Sequence, residues 1–202
     1  MVTIKSTAKV FAIVLAAGSG SRFGSTKQLA EIDGIPLVRR AMNIAAEACA
    51  ERTVLVAGHE WKSVSDACAP LPGFLVVNEN HADGLGTSIA TAVRSVRHAA
   101  QAIVVLLADQ TLITAEHLRA LCAAWGGADD EIVATQYADA IGAPVLFPPG
   151  CFEDLVMLRG DSGGRHLLSD NRFRVRKIVF EPAVVDIDTP EDLLLERLKR
   201  RE

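Results

Sequence analysis

Short runs of Val, Ile and Leu with few charges alternate with segments of helical period, and this alternation constrains the fold most. The apolar runs span residues 10–15, 53–57, 75–78, 103–107 and 132–135. Runs of that kind suit strands buried on both faces, as in a parallel sheet. The segments 36–50, 60–69, 88–99 and 115–125 carry helical patterning instead. In the third, Ile89, Ala92, Val93 and Val96 fall on one stripe while Arg94 and Arg97 lie off it. Thr114 precedes the fourth as a suitable cap. Repeated strand–helix–strand alternation predicts a Rossmann-like three-layer α/β sandwich with a mostly parallel central sheet. The last third is less regular. Residues 143–147, 173–180 and 184–187 read as strands, and 190–200 as a helix with Pro190 in its first turn. No repeat or long linker divides the 202 residues, so one domain, 1–202, is expected.

The totals exclude several classes. The net charge of −4 provides no basic excess to neutralise nucleic-acid phosphates. No apolar stretch approaches the roughly 18 residues of a membrane span. The first ten residues lack an apolar core of signal-peptide length. Cys49, Cys68, Cys122 and Cys151 are scattered without CxxC spacing, which favours buried small hydrophobes over a zinc site or disulfide framework. The five histidines form no HExxH pair and read mostly as surface residues. Partners are therefore expected to include neither nucleic acid nor membrane, in a cytoplasmic setting.

The stretch LAAGSGSRFGSTK, residues 15–27, follows the first strand-like run. Glycines there can aim backbone N–H groups at phosphate oxygens. It is not a Walker A loop, because Gly24 is followed by Ser25-Thr26-Lys27 rather than by lysine. Nor is it a dinucleotide fingerprint, because Gly18, Gly20 and Gly24 give GxGxxxG. What remains is a Gly/Ser loop with Arg22 and Lys27 in reach of one concave site, suited to a triphosphate. A solvated turn with wetting charges is the plainer alternative. Residues 29–38 read as a short extended excursion around Asp33-Gly34.

Two acidic features accompany the loop. Asp109 follows the strongest apolar run, where open α/β sheets bind ligands. Asp186 and Asp188 lie two apart in an extended run and face the same way. Magnesium takes one or two carboxylates plus phosphate oxygens, which Asp109 and Asp188 could supply. Asp109 equally suits a turn, and Asp188 equally suits a helix cap. Between the glycine loop and Asp109, residues 80–88 enter the third helix, where Gly86 permits close backbone approach and Ser88 is either a cap or a ligand contact. Residues 160–165, GDSGGR, place Arg165 before a short helical run. Its planar fork suits a phosphate monoester, although a surface turn would use the same residues.

LAAGxGxRFGxxK after a first strand resembles the signature of nucleotidyltransferases that activate sugars, alditols and cofactors. GLGTSIATAV (84–93), LLADQTLI (106–113), GAPVLF (142–147), GDSGGR (160–165) and DIDTPEDL (186–193) follow in the order expected of the molybdenum cofactor cytidylyltransferase group. The resemblance covers nearly the whole chain. It implies a nucleotide-binding half over about 10–109 and an acceptor-binding half over about 110–202. It implies nucleotide contacts from Leu15, Ala16, Ala17, Gly18, Gly20, Gly84, Gly86 and Ser88, with Arg22 and Lys27 on the triphosphate. Arg22, Lys27 and Asp109 would be catalytic, and Asp109 and Asp188 would hold Mg2+. Gly142, Pro144, Asp161, Gly163, Arg165 and Asp186 would face the acceptor. Ala17 is the spelling associated with CTP, whereas guanylyl-transferring relatives more often carry glycine there. Ala143 departs from a common family spelling, which has His. The implied reaction moves CMP from CTP to the phosphate of molybdopterin with release of pyrophosphate, with a molybdoenzyme apoprotein as a further partner. Alternatives are cytidylyl transfer to a sugar or polyol phosphate, and a non-catalytic molybdenum cofactor chaperone.

Overall fold

Every strand-like run of the first two-thirds becomes a strand of one seven-stranded sheet. The computed structural model describes residues 9–20 and 23–200. In chain order the main elements are β1 (Val10–Ala16), β2 (Glu31–Ile32), β3 (Ile35–Pro36), α1 (Leu37–Cys49), β4 (Thr53–Ala57), α2 (Trp61–Asp66) and β5 (Phe74–Val77). Then follow α3 (Leu85–Val96), β6 (Ala102–Leu107), α4 (Ala115–Ala124), β7 (Glu131–Tyr137), β8 (Ala140–Phe147), α5 (Phe152–Val156), β9 (Arg174–Val179) and α6 (Pro190–Lys199). The sheet order is β5-β4-β1-β6-β8-β7-β9. Only β8 runs against its neighbours, β6 and β7; the remaining pairings are parallel. This is the expected α/β sandwich, and its sheet runs through both halves of the chain.

The period-two geometry of a strand explains why both faces need covering. In β1, Ala12, Val14 and Ala16 pack with Ala41, Met42 and Ala45 of α1 and Leu118 and Leu121 of α4. Ile13 and Leu15 point the other way, onto Ile89, Ala92 and Val93 of α3 and Leu155 of α5. Each Val, Leu, Ile or Met among them, fully buried, contributes about 1.5–3 kcal/mol. β1 is central because the chain first builds outward through β4 and β5, then returns to place β6 on its other side. The strand order reverses at that point, and the crevice outside the carboxyl ends of β1 and β6 is the natural ligand site.

Local signals behave as their chemistry requires. Asp33 (φ 54°) and Gly34 (φ 72°) turn the small β2–β3 hairpin, the expected extended excursion. Thr114 caps α4 by accepting from the His117 N–H at 3.2 Å. Thr189 and Asp192 form a capping box at α6, so the cap is Thr189, not Asp188. One expectation fails. Residues 184–187 are not a strand: Glu181–Val184 forms a 3₁₀ turn. Pro182 removes a ladder donor, and Ile187 is drawn into a separate apolar cluster with Ile32, Leu37 and Leu193. A single backbone bond, Ile187 N–H to Asp109 O at 3.1 Å, ties that segment to the end of β6.

Candidate active site

The glycine loop leaves β1 at the reversal point and closes over Gly20, whose carbonyl accepts from the N–H groups of Phe23 and Gly24 at 2.9 and 3.0 Å. Gly20 has φ +65°, and a Cβ there would stand 2.2 Å from the Ser25 carbonyl oxygen, so only glycine fits. Arg22 lies outside the described residues. Beyond the turn, the Thr26 hydroxyl donates to Glu60 at 2.6 Å, which fixes the start of the 3₁₀ turn Lys27–Leu29.

Lys27 is the centre of the site. Its Nζ donates to Asp109 Oδ2 at 2.7 Å and to Asp188 Oδ1 at 2.9 Å. The three residues come from the glycine loop, the end of β6 and the segment before α6, and they meet in the β1–β6 crevice. Lys27 is 13% exposed, Asp109 20% and Asp188 41%. Burial, the largest single influence, pushes the Lys27 ammonium toward deprotonation. The charges and hydrogen bonds of Asp109 and Asp188 together outweigh it, so its pKa is raised and the cation is held. Asp186 is shifted upward by burial, then by the negative charges of Asp109 and Asp188. That upward shift marks it as a neighbour of the same acidic group.

The residues present suit a divalent cation. Asp109 Oδ1 is buried without a hydrogen-bond partner among the described residues, while Oδ2 is held by Lys27. A buried bare carboxylate oxygen is costly unless something cationic meets it. Asp109 and Asp188 are the residues that would hold such an ion, which magnesium or manganese would complete with phosphate oxygens and water. Among the described residues, no group of three or more His, Cys, Asp or Glu forms a cage of its own.

Around this centre lies a cleft of about 590 Å³, lined by Leu15, Ala17, Gly18, Gly20, Lys27, Gly84, Ser88, Asp109 and Asp188, with Asp161 beside them. Asp161 thus stands with the expected nucleotide residues rather than the acceptor ones, because residues 160–162 pack onto the start of α3. Gly86 N–H donates to Gly160 O at 2.8 Å. A Cβ on Gly86 would lie 2.7 Å from Ser162 O, so that packing is what demands a glycine; Gly86 does not line the cleft. Ala16 is also absent from the lining, being buried on the opposite face of β1 with the α1 core. Ser88 is not a cap, since Gly84 holds that position. The buried Asn78 side chain donates to Ser88 Oγ and Thr87 Oγ1, both at 2.9 Å. Ser88 lines the cleft with its hydroxyl oxygen anchored by Asn78.

A second cavity, about 350 Å³, adjoins the first and shares Leu15, Leu85 and Leu107 with it. Gly142, Gly163 and Arg165 line this one and not the first cleft. Pro144 is buried behind it and follows a cis peptide bond. Its carbonyl accepts from the Thr135 hydroxyl at 2.7 Å, and Thr135 Oγ lies 2.8 Å from His117 Nε2. The Thr135 proton is committed to Pro144, so His117 Nε2 must carry the proton it donates. His117 is only 4% exposed, against the surface expectation for most histidines, and burial lowers its pKa to about 4. Gln110 Nε2 donates to Ala143 O at 3.0 Å and Ala183 O at 3.2 Å, tying the residue after Asp109 to the same strand.

Sequence reasoning passed over Gln28, Asn78, Gln110, His117 and Tyr137. Gln28 lines the cleft, donates to Gly18 O at 2.9 Å and keeps a buried Oε1 without a partner among the described residues. The available signal was local: Gln28 directly follows Lys27, and Asn78 ends an apolar run. Cys49, Cys68 and Cys151 are buried, as expected of small hydrophobes, and Cys122 is half-buried. No helix among the described residues is long and apolar enough to cross a membrane.

A family model for the MobA-like NTP transferase domain matches residues 12–176. The chain belongs to that family. As a MobA-like nucleotidyltransferase it is 29% identical over 191 residues to the purine catabolism protein PucB of Bacillus subtilis, covering 89% of this chain and 92% of that one. It is 33% identical over 114 residues to the bifunctional protein GlmU of Geotalea daltonii, of which the match spans 25%. Among solved structures, Rv0371c of Mycobacterium tuberculosis superposes with a TM-score of 0.82 at 29% identity, covering 95% of this chain and 98% of that one. The same protein in complex with manganese gives 0.78 at 28% identity, with the same coverage.

Proposed function

We propose that this nucleotidyltransferase moves CMP from CTP to a phosphate monoester, with molybdopterin as the favoured acceptor and pyrophosphate as the second product. The observation that carries the reading is Lys27 held between Asp109 and Asp188 at the mouth of a glycine loop, with one Asp109 oxygen left bare. A triphosphate entering the cleft meets the Lys27 ammonium and the backbone of Gly18 and Gly20. Nucleotide binding would draw Lys27 toward phosphate and release the two carboxylates. Mg2+ held by Asp109 and Asp188 would neutralise triphosphate charge, and that Rv0371c has been solved in complex with manganese supports a divalent metal.

The protein needs no nucleophile of its own. An oxygen of the acceptor phosphate attacks the α-phosphorus, forming a P–O–P link. The bond from the α-phosphorus to the bridging oxygen breaks, and pyrophosphate leaves with that electron pair. Lys27 compensates the charge that grows on the departing group. Ala17 and the Ser88 hydroxyl border the base end of the cleft, and Ala17 supports CTP over GTP by narrowing it. Arg165, outside the nucleotide cleft, would receive the acceptor with its two-pronged guanidinium. Incubation with CTP, Mg2+ and molybdopterin should release pyrophosphate in step with a cytidylylated product. Binding of cofactor with no pyrophosphate release would replace the transferase reading with a carrier.

A further inference from the structure

Two buried oxygens beside the glycine loop share one difficulty. Gln28 lies in the 3₁₀ turn after the loop and is 6% exposed. Its Nε2 donates to the Gly18 carbonyl at 2.9 Å, and its Oε1 is buried without a partner among the described residues. The amide cannot be turned over, because Oε1 against the Gly18 oxygen would set two acceptors together. Asp109 Oδ1 is the second such oxygen, while Oδ2 of the same carboxylate is held by Lys27. Both residues line a small cavity of about 20 Å³, whose other walls are Leu15, Lys27, Leu37 and Ala108. Leu15, Lys27, Gln28 and Asp109 also line the larger cleft, so the two spaces adjoin. A cavity of this size holds one water, which needs about 10–15 Å³.

Two acceptors cannot satisfy each other, whereas one water donates to both. Lys27 lines the same cavity and has a third N–H beyond those given to Asp109 and Asp188, so it can donate to that water. Magnesium is a poorer occupant here, since two oxygens among Leu15, Leu37 and Ala108 fall short of its octahedral set. Accepting the metal-dependent transfer read above, we infer that Gln28 is a positioning residue. It holds Gly18 through Nε2, and it holds Asp109 through one buried water between Oε1 and Asp109 Oδ1. The loop that would receive phosphate and the carboxylate that would hold the metal are then set against each other by one side chain. Asp109 keeps its place at the metal. An ionised carboxylate has roughly four lone-pair sites, of which Lys27 and the water use one each.

The first test is a crystal structure of the nucleotide-free wild-type protein that resolves ordered water. One water within hydrogen-bond distance of both Gln28 Oε1 and Asp109 Oδ1 is expected; a dry cavity, or a metal ion in it, overturns the inference. The second is calorimetry on Gln28→Met, which keeps length and removes donor and acceptor together. Metal-free CTP affinity should fall about three- to tenfold, the loss expected for a hydrogen bond. The tightening of CTP binding by Mg2+, about tenfold in the wild type, should shrink to about threefold or less. A merely structural Gln28 would lower the melting temperature and leave both CTP affinity and the Mg2+ gain intact, which overturns the inference. Should Gln28→Met fail to fold, the wild-type water decides alone. If Mg2+ does not tighten CTP binding to the wild type, the metal reading of Asp109 fails. The water and the metal-free affinity of the variant then judge Gln28 by themselves.

Discussion

The cleft around Lys27 and the cavity beside it share three leucines and differ in what else lines them. The cleft is made of backbone and charge: Gly18, Gly20 and Gly84 with Lys27, Asp109, Asp161 and Asp188. The cavity is made of side-chain carbon with Arg165 at its edge. A triphosphate looks alike in every nucleotide, so the parts that grip it are few in kind. An acceptor body is recognised by shape and surface, and many combinations of Ile, Val, Leu and Phe make an adequate wall. The first site is therefore specified by individual residues and the second by their sum.

That contrast is most sharply broken at Asp109. Asp109→Asn keeps size and one acceptor oxygen but removes the charge that would hold Lys27 and a metal. Turnover measured by pyrophosphate release should fall by about 100-fold or more with the fold intact. Near-wild-type release would remove Asp109 from the reaction. On the cavity side, the expected loss is smaller and confined to one substrate. Arg165→Lys replaces a planar fork with a point charge and should cost about 1.5–3 kcal/mol in acceptor binding or transition-state stabilisation. Titrating CTP and acceptor separately should show the acceptor curve moving and the CTP curve still. Movement of the CTP curve would place Arg165 in the wrong site.

Nucleotide choice should be about tenfold in favour of CTP at equal concentrations, a margin typical of one small steric difference. Preference for GTP in direct competition would show that Ala17 does not set the base. The mildest effect concerns the support behind the cavity. His117 is neutral in the folded protein, with a pKa near 4, whereas an unfolded histidine titrates near 6.5. As pH falls below about 6.5 the unfolded chain takes up a proton that the native one refuses. The His117 contribution is thus complete above that pH and is lost progressively toward pH 4. In urea melts, His117→Gln should flatten that part of the pH profile, and an identical profile would contradict it.

The sequence revealed the layers of the fold because strands buried on both faces cannot avoid being continuous apolar runs. It misled at 184–187, where Val184, Val185 and Ile187 imitate a strand. Ile187 is instead a single anchor in a cluster with Ile32, Leu37 and Leu193, and Val184 is exposed. Lys27, Asp109 and Asp188 were legible as charges beside glycines or at a strand end. Their meeting was not, since it joins segments 82 and 161 residues apart. Gly86 was legible as a glycine but not as the one that seats residues 160–162. Gln110 was invisible because it works through partners distant in sequence, Ala143 and Ala183, and Tyr137 because its contact with Gly142 exists only once β7 and β8 pair.

On the proposed reading, nucleotide, metal and the Lys27 bridge meet at one place. The most direct measurement is CTP affinity with and without Mg2+, by calorimetry, for the wild-type protein and Asp109→Asn. Mg2+ should tighten CTP binding to the wild type by about tenfold or more, about 1.4 kcal/mol, and should have no effect on the variant. An equal Mg2+ effect on both proteins would mean that the metal arrives only as a companion of the nucleotide, and that Asp109 does not hold it.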